Sequence, residues 1–180
     1  MLIDQILPRY DQHEYHQIRI RGNPTEVYET VRVLDFSDSF LIRTLFRLRG
    51  LPATLKSVED LLQAGFVLVD ERPGQEFVMG LIGKLWRPTG KLERVNPVEY
   101  REFNHKGYAK VAWNFAVRKI SDGLVKVSTE TRIMCLDDPS RKRFRLYWRL
   151  VGPFSGLTRR EMLRCAKRKT DSKRANSEHP

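Results

Sequence analysis

DPSRKRFRLYWRLVGPFSGLTRREMLRCAKRK, residues Asp138 to Lys169, reads as one long helix near the C-terminus of a 180-residue chain. Asp138 is a residue type that caps free backbone N–H groups, and Pro139 suits the first helical turn, where its missing N–H costs nothing. Phe144, Tyr147, Trp148, Val151, Phe154, Thr158, Met162, Cys165 and Ala166 then recur at three- and four-residue steps, the apolar side of an amphipathic helix. Arg141, Arg143, Arg145, Arg149, Arg160, Arg164 and Lys167 fall mostly between them. Gly152-Pro153 interrupts the pattern. A proline inside a helix removes a hydrogen bond and crowds the preceding turn, so a kink or a break into two helices is expected there. It serves either as a hinge or as a bend that follows the partner surface. A long helix with Trp and Tyr on its apolar side needs a broad concave partner, and the middle of the chain supplies one.

Two stretches before it alternate with the period of a strand. From Tyr108 to Lys119, Val111, Trp113, Phe115 and Val117 share one face. From Leu124 to Met134, Val125, Val127, Thr129, Thr131 and Ile133 do the same, with Lys126, Ser128, Glu130 and Arg132 opposite. Ser121-Asp122-Gly123 joins them as a hairpin turn. One apolar and one polar face is the signature of an antiparallel sheet with one solvated side. Phe66 to Glu71 and Glu76 to Gly83 form a second hairpin, with Gly80 and Gly83 as candidate bulges. His13 to Arg21 is a half-buried strand, with Tyr15, Gln17, Arg19 and Arg21 on one side and His16, Ile18 and Ile20 on the other.

Between that strand and the hairpin that begins at Phe66, the chain turns helical. Asn23-Pro24-Thr25 starts one short helix. Phe40 to Leu48 forms a second, ending near Gly50-Leu51-Pro52. Ser57 to Gln63 forms a third, with Ser57 and Asp60 as a relative of the capping box. Asn96 to Phe103 is a loop or short helix. Residues 1–12 read as an irregular leader whose Ile3, Ile6 and Leu7 are free to tuck onto the body, 13–169 as one domain, and 170–180 as a disordered polar tail.

Composition narrows the classes. The chain carries 33 Lys and Arg against 22 Asp and Glu, a net charge of +11. Thirteen of those cations but only three of the acids lie between Arg141 and Pro180, so the charge belongs to the last helix and tail. That favours a solvated helix face or contact with an anionic membrane or partner. Nothing else resembles a nucleic-acid module, so nucleic acid is not the expected partner. No apolar run is long enough to span a bilayer, and no secretory start is present, so a cytoplasmic location is expected. Cys135 and Cys165 lack the spacing of a disulfide framework or a zinc site and read as idle thiols. His13 and His16 fall on opposite faces of a strand, which disfavours a shared metal. There is no P-loop, no GxGxxG and no nucleophile elbow around Ser155, and no cofactor is expected.

The order of strand, helix pair, antiparallel strands and long final helix, with the pieces Gly107-Tyr108-Ala109-Lys110-Val111-Ala112-Trp113-Asn114-Phe115, Ser128-Thr129-Glu130-Thr131-Arg132, Ser140 to Trp148 and Pro153 to Arg160, resembles the START-like (SRPBCC) superfamily, and within it a bacterial branch. That superfamily includes plant pathogenesis-related allergens of the Bet v 1 type, lipid-transfer domains and polyketide cyclases. The resemblance implies an α+β helix-grip fold: a curved antiparallel sheet wrapped around the C-terminal helix, with a cavity between them often filled by an apolar ligand. It makes Trp86, Trp113, Phe115, Thr129, Thr131, Tyr147, Trp148 and Val151 candidate ligand-binding residues. A packed core reads the same way from spacing alone. The function expected is binding of a small hydrophobic or amphipathic molecule. The alternatives are an enzyme of cyclase, dehydratase or hydrolase type, with Glu130 as its weak catalytic candidate, and a basic-helix module for an anionic surface. Glu130 and Arg132 share a strand face, which also reads as a plain surface ion pair.

Overall fold

The computed structural model describes residues 1–48, 55–87 and 90–177. In chain order the elements are α1 (Leu2–Ile6), β1 (Gln12–Arg21), α2 (Pro24–Arg32), α3 (Phe40–Leu48), α4 (Val58–Gln63), β2 (Val67–Arg72), β3 (Glu76–Gly83), α5 (Pro97–Glu102), β4 (Ala109–Ser121), β5 (Leu124–Cys135) and α6 (Asp138–Ser177). The strands form one antiparallel sheet in the order β1-β5-β4-β3-β2. The sheet curls, and α6 lies in its concave side, contacting β1 and β5 and, further along, α2 and α3. This is the helix-grip architecture.

The main core fills the space between the concave face and the helices. Ile20, Val27, Val31, Phe77, Met79, Trp113, Phe115, Val127, Met162 and Ala166 are all buried in it. A second cluster, of Leu81, Ala109, Val111, Ile133 and Phe144, packs under the first turns of α6.

The convex face departs from the solvated surface that the alternation suggests. Residues 1–12 are not an irregular leader. Leu2–Ile6 is helical, and Leu2, Ile3 and Leu7 bury against Val78 and Ala112. Beside it Tyr100 of α5 packs on Val69 and Ile82. With helices on both sides, every residue of β3 is buried. A polar network pins α1 in place. The Glu76 carboxylate accepts from the Leu2 and Ile3 amides at 2.8 and 3.4 Å, and from Asn114 at 2.7 Å. Arg132 donates to Glu130 and Asp4, both at 2.6 Å, and to the carbonyl oxygens of Leu7 and Ile3. An acid therefore meets the free N–H groups of the short helix and a cation meets carbonyls at its C-terminal end. Glu130 and Arg132 are thus a buried pair and not a surface one.

Smaller differences have local causes. The cap of α6 is Asp137, whose carboxylate accepts from the Ser140 amide at 2.6 Å, and Asp138 is already helical. The helix runs unbroken through Gly152-Pro153. It also continues past 170, because Thr170 is buried and Lys173 donates to Thr30 of α2 at 3.2 Å, so residues 170–177 are docked helix and not a disordered tail. Neither Gly80 nor Gly83 bulges the sheet; the register shifts lie between Leu68 and Asp70 and between Lys119 and Ser121. Gly80 is required for another reason: a Cβ there would sit 2.5 Å from the Tyr100 ring. The expected helix end at Gly50-Leu51-Pro52 lies outside the described residues, as do residues 88, 89 and 178–180.

Two variants test this packing by chemical denaturation. Arg132→Ala leaves the Glu130 carboxylate buried without its cation and is expected to lower the unfolding free energy by about 3 kcal/mol. Gly80→Ala forces Tyr100 off the sheet and is expected to cost roughly 1–3 kcal/mol.

Candidate functional site

Strand register decides which side chains α6 meets. Two rows cross the concave face. One runs Phe77, Phe115, Thr129, His16; the other runs Met79, Trp113, Thr131, Glu14. Both start apolar on β3 and β4, become hydroxyl-bearing on β5, and end ionisable on the edge strand β1. The rows on either side, Val117-Val127-Ile18 and Val111-Ile133-Gln12, stay apolar through β4 and β5. The polar groups are therefore gathered at one spot along β1, and α6 passes over that spot with residues 152–160.

The helix answers the gradient. The Arg159 guanidinium lies over the Trp113 ring at 3.4 Å, and its Nε donates to Thr131 Oγ1 at 3.2 Å. Trp113 Nε1 donates to Thr129 Oγ1 at 2.7 Å, and that hydroxyl donates on to the Asn114 carbonyl. The polar tips of Trp113 and Thr129 are therefore satisfied inside the protein. Gly156 stands over β1, where a Cβ would meet His16 Nε2 at 3.5 Å and Glu14 Oε1 at 3.6 Å, both ordinary contacts. One turn earlier Gly152 lies under the Trp148 indole, which a Cβ would approach to 3.1 Å.

Between β1 and this stretch of α6 runs an open cleft of about 650 Å³, lined by His13, Glu14, His16, Trp148, Arg149, Gly152, Pro153, Gly156, Leu157 and Arg160. Pro153 has no N–H to offer the Arg149 carbonyl one turn back, so the helix is short of one internal hydrogen bond along the cleft. His16 is the chemically distinctive group. Arg160 Nε approaches its Nδ1 at 3.4 Å. Arginine only donates, so Nδ1 accepts and the neutral ring carries its proton on Nε2. That Nε2 is shielded from solvent and has no hydrogen-bond partner.

The eight residues expected to bind ligand do not form one group. Trp113, Phe115, Thr129 and Thr131 are at most 3% exposed and belong to the packed interior beside Arg159. Trp86, Tyr147 and Trp148 gather around Phe144, with Trp86 Nε1 buried and unpartnered. Val151 is half-buried on the same helix. Of the eight, Trp148 alone lines the cleft. Glu130 is on the far side of the sheet, under α1, where its carboxylate meets Arg132 and, at 3.0 Å, His13. It does not share a space with the aromatic residues or with α6. The alternation placed His16 on the inner face but gave no sign that Glu14, Gly156, Arg159 and Arg160 would converge on it. No spacing in the sequence signals that convergence, because it depends on where α6 lies along the sheet. Among the described residues no three His, Cys, Asp or Glu side chains are grouped to hold a metal ion. Cys135 and Cys165 are buried free thiols.

Burial, and then the charges of Arg160 and Arg159, hold the His16 imidazole below its ordinary value of 6.5. The unfolded chain then takes up a proton that the folded chain resists, so this group lowers stability as pH falls through about 6.5 and has no effect above it. His16→Gln is therefore expected to lose less unfolding free energy than the parent between about pH 7.5 and pH 5.5, measured by denaturant titration at both values.

The chain matches no family model and no curated protein. Among solved structures, the crystal structure of the ZhuI aromatase/cyclase from Streptomyces sp. R1128 is similar at a TM-score of 0.32 and 11% identity, covering 88% of this chain and 95% of that one.

Proposed function

We propose that this chain binds a small amphipathic molecule in the cleft between β1 and α6, as a helix-grip protein of the START-like superfamily. The observation that carries the reading is a cleft lined by His16, whose Nε2 is a proton donor shielded from water and without a partner. A buried donor left unpaired costs free energy, and a ligand acceptor would recover it. Around it the cleft offers what such a molecule needs. Trp148, Pro153 and Leu157 give apolar surface, and Arg149 and Arg160 give cations for a carboxylate, phenolate or carbonyl oxygen. The interior aromatic residues support the cleft from beneath.

A second reading rests on a separate observation. Glu14 and His16 converge on Gly156, so a carboxylate and a neutral imidazole face the same space. That pairing suits proton transfer on a bound ligand, as a cyclase or dehydratase would require. Glu130 has no part in it.

Native mass spectrometry of the freshly purified protein, with organic extraction, tests the binding reading. A small amphipathic molecule is expected to co-purify, or one to be captured from a panel of medium-chain carboxylates and aromatic polyketides. Gly156→Met, which fills the cleft beside His16, is expected to reduce that binding at least about tenfold. Binding that Gly156→Met leaves intact would remove the cleft from the account.

A further inference from the structure

The outer side of α6 breaks the pattern of a solvated helix. Leu146, Leu150, Phe154 and Leu157 are 65, 71, 39 and 43% exposed. Steps of four, four and three residues set them in one line, about 16 Å long at 1.5 Å per residue. Exposed Pro153 lies in the same line. Beside it stand Lys142, Arg143, Arg145, Arg149 and Arg160, all exposed. No acidic residue occurs between Pro139 and Arg160. Among the described residues, Lys142, Arg145 and Arg149 have no ion pair.

We propose that this side of α6 docks on an anionic lipid bilayer. The four large apolar side chains would sit at the boundary between headgroups and acyl chains, and the flanking cations would sit on the lipid phosphates. A row of exposed leucine and phenylalanine within a cationic border is the composition of an interfacial helix. The two likeliest competitors fit less well. A second copy would bring two cationic borders together. A nucleic acid would meet the cations but leave four aliphatic and aromatic groups without use, since none is placed among bases. The row lies along the exposed side of α6, and a deformable bilayer can cover it.

The docking face and the cleft share residues: Arg149, Pro153, Leu157 and Arg160 belong to both. If the cleft binds an amphipathic molecule, as proposed above, its mouth borders the membrane, and the molecule passes between bilayer and protein without crossing open water.

Vesicle co-sedimentation of the full chain tests the docking. Phosphatidylcholine vesicles, with and without phosphatidylglycerol, are compared with soluble polyglutamate. Binding is expected to the phosphatidylglycerol vesicles only, and to weaken at least about tenfold when salt is raised to roughly 0.5 M. Leu146→Ser with Leu150→Ser is expected to weaken it at least about tenfold more at a little-changed melting temperature, because both side chains are mostly exposed. Arg145→Gln with Arg149→Gln is expected to weaken it as well. No binding to anionic vesicles overturns the proposal. So does vesicle binding that the Ser variants leave unchanged, or equal binding to polyglutamate, which would mark a plain polyanion site. Gly156→Met is expected to dock like the parent, so a failed cleft and a failed docking face give different results.

Discussion

Everything on the concave side follows from the register between β1 and β5. Pairing Glu14 with Thr131 and His16 with Thr129 continues two apolar rows of the sheet into ionisable groups at its edge. A shift of one residue would turn Glu14 and His16 outward and put His13 and Tyr15 against the helix. With the observed register, α6 must pass over a polar spot, and it does so with the residues suited to it. Arg159 bridges Trp113 and Thr131, and Arg160 meets His16. The cleft is what remains where helix and edge strand do not close on each other.

The convex side has a different logic. A sheet that is wet on one face needs only half its residues to be apolar, and the alternation in β5 looks like that case. Here Glu130 and Arg132 are polar yet buried, because α1 closes over Arg132 and Arg132 pairs with Glu130. The cost of burying charge is met by complete pairing: Glu76 and Arg132 hold the two ends of the short helix, and Asn114 links Glu76 to the Glu130 amide. Such a network adds little net stability over an apolar one, but it leaves one orientation for the helix. It also keeps Glu130 out of any chemistry on the α6 side.

The long helix and the β4–β5 hairpin were legible in the sequence because each is a periodic run longer than ten residues, with an end signal at Ser121-Asp122-Gly123 or Asp138-Pro139. Five residues of α1 are too few to show a period, and its partners Glu76 and Arg132 lie 74 and more than 120 positions away. The extension of α6 to Ser177 was hidden for a similar reason. Its residues are polar, and only contact with Gly22 and Thr30 of the distant α2 region makes them helical. At the site, strand alternation correctly put Trp113, Thr129 and Thr131 on one face. What it could not supply was the position of α6 along that face, which decides that Arg159 fills the space above Trp113 and that Gly156 opens on His16.

Ligand capture in the cleft depends on the state of the His16 ring. Long-range proton–nitrogen NMR on the imidazole, in the free protein and with dodecanoate added, reads it directly. The account requires a neutral ring at pH 7 with its proton on Nε2, and an Nε2 resonance that moves with saturation as an acceptor arrives. A ring protonated on Nδ1 in the free protein, or an Nε2 resonance that stays fixed while signals elsewhere shift, would contradict it.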